Sequence, residues 1–573
     1  MNRRFLSSLL VASALGGQLL NAQAPAAAAN ADQTTVQAPE NSDALSQLRA
    51  RIAQQQEQIK KLQQAVDEQQ KMLEQALAVK TAPAAANSAS TTATATAAAP
   101  VTSTSATNDG TTVVATSNSG EPVKLVPAVN VKPDIATLPR KMQKDDSNVA
   151  ASPLGIHIGN TTVTPFGFID FIGFGRSTNA GSGIGSSFAS IPYNTGLTGH
   201  ISEFNESLQN TRLGFRVDSN YKGIDILGYA EVDFLGNQPT NIFQTTNSDV
   251  LRMRNIFADL KKDKLEILVG QDWSLFTPNR VGLSPIPSDI FYSQAVDTNY
   301  QAGLTWARQS QVRITYHPSE SVAAAVSFEN PQQFIGGFVT LPTALATPLA
   351  NQLNTGSTTY SAPNVAPDIL AKVAYQSKVF HIEAGGMVRE FKTAGSAGTP
   401  VVYNTHSATG VAGEVNMNLN FNNKFRLLAN TFFGDGGGRY IGGTAPDLIV
   451  RANGSLSPVH SYSTTDGFEY NPTKNNLIYS YYSGVAISRD TALDTTGKLI
   501  GYGYVGSPNA DNRTIQEFTF GYSPTFFKSN NYGAFSMNFQ YSYLFRDPWY
   551  VPAAGPKDAH LNLYYIDIRY TLP

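Results

Sequence analysis

Four short runs place ionisable residues at every second position. Arg212 and Arg216 flank Gly214, Glu231 and Asp233 follow, then Arg252 and Arg254, then Glu266. Neighbouring extended segments lie about 4.8 Å apart, so columns of alternating sign on adjacent segments can pair. Two chemistries fit: a ladder of ion pairs that braces a wall and fixes its register, or a basic track that concentrates anions in a low-dielectric passage. Arg313, Lys372, Arg389, Arg426, Arg513 and Arg569 extend the set at positions of the same parity within their own segments, and Glu383, Glu414, Glu517 and Asp567 supply counter-charge. His381 and Glu383 also share one face, but two ionisable groups at alternate positions do not make a catalytic site. The remaining histidines show no metal-ligand spacing. No catalytic residue, metal or cofactor is assigned.

The element that positions such columns is a strand. Between the charges stand Leu213, Phe215 and Val217, then Val232 and Phe234, then Leu251 and Met253, then Leu265, Ile267 and Val269. This period of two puts hydrocarbon on one face and charge on the other. The pattern recurs in sixteen segments, at about 161–175, 211–219, 222–235, 250–261, 263–275, 303–317, 320–329, 368–377, 379–391, 408–421, 424–434, 459–470, 475–487, 512–525, 532–546 and 559–572. Short turns at Asn220-Tyr221, Lys262, Pro318-Ser319, Ser377-Lys378, Asn422-Asn423 and Thr473-Lys474 alternate with long polar loops such as 176–210, 276–302, 330–367 and 435–458. An even strand number with short turns at one end and long loops at the other is the rhythm of an outer-membrane barrel. A soluble sandwich would not carry several structureless loops of this length.

Composition agrees. The chain of 573 residues has 15% charged residues, 30 Phe and 25 Tyr, which suit aromatic girdles at the two membrane interfaces. Beyond the N-terminus no apolar run reaches the roughly 18 residues of a spanning helix. A net charge of −2 leaves no nucleic-acid footprint. With 0 Cys there is no disulfide framework, so the compartment is read from targeting signals.

Residues 1–24 have the form of an export signal: Arg3 and Arg4, an apolar 5–15 stretch, and the small-residue site Ala22-Gln23-Ala24. Within 40–80, Leu45, Ile52, Ile59, Val66 and Leu73 repeat every seven residues, with Leu48, Gln55, Leu62, Gln69 and Ala76 in the companion register. That is a coiled-coil seam; its β-branched positions suit two strands, while the two glutamines leave room for three. Residues 81–154, rich in Ala, Thr, Ser and Pro, read as a disordered linker. The expected fold class is therefore all-β: a sixteen-stranded antiparallel transmembrane barrel over 155–573, preceded by a coiled-coil helix and a disordered linker.

The barrel segment resembles the trimeric porins of Gram-negative bacteria, most nearly the DcaP-like porins. The resemblance rests on TRLGFRV (211–217), GYAEVDF (228–234), LRMRNIF (251–257), GQDWSLF (270–276), FGDGGGRYIG (433–442), NRTIQEFTFGY (512–522) and QYSYLFR (540–546). It covers roughly residues 40–80 and 160–573. It implies an outer-membrane homotrimer with lipid around the wall and the N-terminal region in the periplasm, passing small hydrophilic solutes, with small anions such as dicarboxylates favoured. In such a pore the alternation of the strands names Arg212, Arg216, Arg252, Arg254, Arg313, Arg389, Arg426, Glu231, Asp233 and Glu266 as lining residues. The third long loop, 277–302, would fold inward and present Arg280, Asp289 and Asp297 at the constriction, with Pro278, Pro285 and Pro287 holding a non-helical path. One departure is the C-terminus, Tyr570-Thr571-Leu572-Pro573, which lacks the terminal aromatic common in such barrels. Phe433-Gly434-Asp435-Gly436-Gly437-Gly438-Arg439 reads as a strand exit, since no helix follows to make a phosphate loop and no acidic series to bind Ca²⁺. The competing class is a structural tether, in which the barrel anchors a coiled coil that contacts the cell wall or another envelope protein.

Overall fold

The computed structural model describes residues 152–236, 249–287, 293–355, 364–397, 402–422, 424–551, 555–556 and 559–573. The export signal, the coiled coil and the linker through residue 151 lie outside them. Among the described residues sixteen strands form one antiparallel wall: β1 Thr161–Arg176, β2 Arg212–Tyr221, β3 Ile224–Asp233, β4 Arg252–Lys262, β5 Leu265–Trp273, β6 Arg308–Ser319, β7 Val322–Glu329 and β8 Asp368–Gln376. The second half is β9 Phe380–Ala397, β10 Val402–Phe421, β11 Phe425–Asp435, β12 His460–Thr473, β13 Asn476–Ile487, β14 Asn512–Ser529, β15 Gly533–Pro548 and β16 Ala559–Thr571. Each strand pairs with the next. β1 pairs with β2 from Thr161↔Ser219 to Phe168↔Arg212 and with β16 from Phe168↔Thr571 to Arg176↔Leu563, which closes the sheet. Closure leaves no unpaired edge, the condition for crossing lipid with strands.

The polarity of the wall is inverted relative to a soluble protein. On β2, Leu213 and Phe215 are exposed while Gly214 and Arg216 are buried; on β8, Ile369 and Val373 are exposed while Asp368 and Lys372 are buried. The apolar face turns outward because the surrounding solvent is hydrocarbon, and polar side chains fill the interior.

Several local expectations need correction. The β2–β3 ladder runs on to Tyr221↔Ile224 and turns at Lys222 (φ 51) and Gly223 (φ 80), two residues past Asn220-Tyr221. Positive φ at both central residues is the requirement of the tight hairpin turn that matches strand twist, and Gly223 meets it without strain. Likewise β4–β5 pairs to Lys262↔Leu265 and turns at Asp263 (φ 52) and Lys264. The connection expected over 392–407 is largely strand: pairing of β9 with β10 continues to Ala397↔Val402. β6 starts at Arg308, five residues after the expected 303, because 303–307 belongs to the preceding loop. Arg513 does not join the inward column. The register between β14 and β15 shifts between Asn512 and Thr514, which swings Arg513 outward, 55% exposed, beside Asp547.

The long loops carry structure of their own. Hairpins Leu448–Val450 with Leu456–Pro458, and Asp490–Leu493 with Leu499–Tyr502, lie in the loops before β12 and β14. Leu448 and Val450 join Leu349, Leu353 and Phe391 in one buried cluster, tying two connections to β9.

Candidate permeation site

The segment 274–307 between β5 and β6 runs through the interior, as expected for the third loop. Most of its described residues lie outside strands and helices, so their backbone amides need partners elsewhere. The inward face of the wall provides them. The amide of Leu275 donates to Glu329 on β7 (2.8 Å), Asn279 to Glu383 on β9 (2.9 Å) and Gln294 to the Tyr481 hydroxyl on β13 (3.0 Å). Val296 donates to Gln540 on β15 (2.6 Å), Ala302 to Glu517 on β14 (2.9 Å) and Thr305 to Asn430 on β11 (3.1 Å). Lys372 Nζ on β8 donates to the Thr277 carbonyl at 3.2 Å. The loop therefore bears on most of the wall opposite its own strands, and it narrows the lumen as a fixed partition.

Its charged residues serve the same end. Arg280 forms a bidentate pair with Glu469 on β12, at 3.0 and 2.7 Å. Asp297 accepts from the backbone amides of Ser186 (3.1 Å) and Asn299 (2.8 Å) and from the Tyr565 hydroxyl (3.1 Å). Both side chains are buried and engaged as anchors. Asp289 lies outside the described residues.

The widest excess of positive charge lies on the other side of the partition, on β2 to β6. Asp233 accepts from Arg252 (2.7 Å) and Arg254 (2.7 Å), and Arg254 also bonds Glu231, with Arg212 3.8 Å from Glu231. A β-bulge builds this knot. Glu231 pairs with Asn255 and Val232 with Met253, so Arg254 is the extra residue, and Arg254 and Asn255 are both buried where strict alternation would expose one. Arg308 joins at the start of β6. Its guanidinium carbon lies 5.3 Å from the Trp273 ring centroid and that of Arg254 lies 5.6 Å from it. Tyr300 of the loop accepts from Arg254 at 3.3 Å, and Tyr300 and Trp306 pack edge-on against Trp273 at 6.0 and 6.1 Å. Four guanidinium groups thus face two carboxylates, a formal excess of two positive charges. Arg308 Nη1 is buried with no hydrogen-bond partner among the described residues. The side chains of Arg212 and Arg252 retain 20% and 36% of their exposure, so the cluster meets solvent.

The other singled-out residues are paired elsewhere. Arg216 chelates Asp218 at 2.9 and 2.8 Å. Glu266 meets His317 at 2.9 Å and Lys261 at 3.7 Å. Arg313 bonds the Trp273 carbonyl and lies 3.6 Å from Asp272. Arg389 bridges Asp368 and Asp447, both at 3.0 Å, between the rings of Phe391 and Tyr440. Arg426 reaches Asn420 at 2.7 Å and Glu469 at 3.4 Å. His381 lies 2.7 Å from Glu383, which also takes Lys372 at 2.9 Å, while Lys372 meets Glu414 at 2.7 Å. Arg308 was not among the sequence candidates. Counting back by twos from Arg313 puts it on the lipid side, and only its place at the strand's first residue, opposite Trp273, turns it inward. The run Trp306-Ala307-Arg308 beside a loop expected in the lumen is the one signal that pointed to it.

A closed sixteen-stranded wall with inverted polarity, crossed inside by the loop after its fifth strand, gives the described residues a porin-type barrel fold. No family model matches the chain, and no curated protein matches it by sequence. Among solved structures it is similar to the outer membrane channel DcaP of Acinetobacter baumannii, with a TM-score of 0.52 at 16% identity over 73% of this chain and 99% of that one. More distant are an anion-selective porin from Comamonas acidovorans (TM-score 0.41, 12% identity, 72% and 99% covered) and Salmonella typhi OmpF in complex with daunomycin (TM-score 0.41, 10% identity, 73% and 99% covered). The likeness to DcaP is one of fold.

Proposed function

We propose that this chain is an outer-membrane porin of a Gram-negative bacterium through which small hydrophilic solutes diffuse passively, small anions such as dicarboxylates being favoured. The observation that carries the preference is the imbalance on β2 to β6, four arginines against Glu231 and Asp233, with Arg308 Nη1 unpaired. Fixed positive charge beside a narrow aqueous passage raises the local concentration of anions. Elsewhere along the interior the charges engage each other or the loop backbone, so they contribute less net field. In this reading residues 1–24 are the export signal, 40–80 a periplasmic coiled coil that helps hold a homotrimer, 81–154 a tether, and 155–573 the porin domain in outer-membrane lipid. Purified protein in planar bilayers under a KCl gradient tests the proposal: a reversal potential on the anion side is expected. A silent bilayer would instead favour a tether whose coiled coil engages the cell wall.

A further inference from the structure

A second site lies where four connections meet. The segment after β1, the end of the loop at 299–306, the stretch around Phe338 and the turn at 441–444 enclose a cleft of about 290 Å³. None of the residues lining it is ionisable. That neutrality sets the cleft apart from the arginine cluster, although Trp306 borders both.

Its chemistry is that of aromatic faces set among neutral hydrogen-bonding groups. Trp306 is held in place by its backbone amide on the Tyr440 carbonyl (2.9 Å) and by packing on Tyr300 at 5.4 Å. Its indole N–H has no hydrogen-bond partner among the described residues, although such a donor normally finds one. Next to it run Gly442 and Gly443, in left-handed conformation at φ +68 and +66. A Cβ on Gly442 would sit 3.4 Å from Trp306 Nε1, so glycine leaves the indole edge uncovered. The Ser187 and Ser190 hydroxyls hydrogen-bond each other at 2.6 Å, and Ser190 Oγ also lies within donating distance of the Ser187 carbonyl at 3.3 Å, which leaves oxygen lone pairs to accept from a solute. Ser182 Oγ is buried with no partner among the described residues. Phe338 supplies a second apolar surface.

We infer that this cleft binds a neutral polyhydroxylated solute of monosaccharide size. The C–H face of such a molecule stacks on an aromatic ring, its hydroxyls pair with amide, hydroxyl and indole groups, and it brings no charge that an uncharged pocket would have to desolvate. The volume is at the lower end of the ~300–1,000 Å³ typical of ligand pockets, which admits one sugar ring and excludes an oligomer. The inference does not depend on anion preference, because it uses none of the arginines.

Tryptophan emission provides the readout, since the chain has 3 Trp and Trp306 borders the cleft. Full-length protein in detergent micelles is titrated with D-glucose and, separately, with sodium succinate at matched ionic strength. A saturable emission change with glucose and none with succinate is expected. Phe338→Ala should weaken the glucose response about tenfold, and Trp549→Phe should leave it unchanged. Gly442→Val, which covers the indole edge, should weaken it similarly; if that variant fails to fold, Phe338→Ala still decides. Absence of a saturable glucose response overturns the inference. So does a response untouched by Phe338→Ala, or one abolished by Arg308→Gln, which would move the solute to the arginine cluster.

Discussion

Arg280 and Glu469, 189 residues apart, join as a buried bidentate pair that pins the inward loop to the far wall. Tyr481 and Arg426 bind the same carboxylate at 2.9 and 3.4 Å, so Glu469 is the centre of a small network. Replacing Arg280 by Ala removes the strongest partner and leaves a buried carboxylate underpaired, a cost of about 3–5 kcal/mol. The expected outcome is a loop that leaves the wall: single-channel conductance rises and becomes noisy. Glu469→Gln, which keeps the shape and removes the charge, should give a weaker form of the same change. Unchanged conductance in both would mean that the pair does not set the aperture.

Selectivity is expected to follow Arg308 more than the arginines in closed pairs. Arg308→Gln should reduce anion preference, measured as reversal potential in a KCl gradient, and Arg216→Gln should leave it nearly intact because Arg216 is spent on Asp218. The Arg308 effect should be larger in dilute salt, since the screening length falls from ~10 Å at 0.1 M to ~3 Å at 1 M. Equal effects of the two substitutions would contradict the charge imbalance as its source.

Gly303 is a third test. A Cβ there would lie 2.3 Å from the Thr464 carbonyl oxygen and 2.5 Å from that of Gly484, so the loop passes directly against the backbones of β12 and β13. Gly303→Ala must push the loop away, at roughly the 1–3 kcal/mol of an overpacked core. The folded fraction, read as heat-modifiable gel mobility, should drop or the conductance should change. Wild-type behaviour in both would show that the close approach is relaxed in the membrane.

A pH dependence is expected outside the wall. Asp511, in the loop before β14, accepts from the Gly503 amide at 2.7 Å, and burial pushes its carboxyl up to about 7. Its ordinary value is near 3.9. The folded loop therefore holds a proton that the opened loop releases, so the stabilisation is complete below about pH 4 and is lost as pH rises through about 7. Hydrogen exchange at Gly503 should be faster at pH 8 than at pH 5.5 after correction for intrinsic rates, and Asp511→Asn should flatten the difference. Faster corrected exchange at the lower pH would reverse the sign and refute it.

The wall was legible in the sequence because lipid enforces a hydrocarbon residue at every second position, and Leu213, Phe215, Ile369 and Val373 obey. Turn positions slipped by about two residues because alternation runs on through polar residues, and only the φ demanded of Gly223 fixes the corner. Arg254 is inward as its alternation predicts, but the bulge beside it turns Asn255 inward as well and changes the parity of the rest of β4, while Arg513 is swung out at a second register shift; no periodicity encodes a bulge. The loop's partners were not legible at all. Asn279 with Glu383, or Asp297 with Tyr565, are separated by 104 and 268 residues, and nothing local marks either one for the other.

The wall groups that receive the loop's amides lie on β7 through β15, all C-terminal to the loop. During synthesis and insertion the segment thus precedes nearly every group able to satisfy it, and its amides depend on water until the late strands arrive. Contacts so remote in sequence form slowly. The loop therefore cannot be fully seated until β14 and β15, which carry Glu517 and Gln540, are in place. A barrel lacking those last strands would hold its inward loop by only part of these contacts, so the width of the lumen is fixed by the strands that come last in the chain rather than by the loop itself.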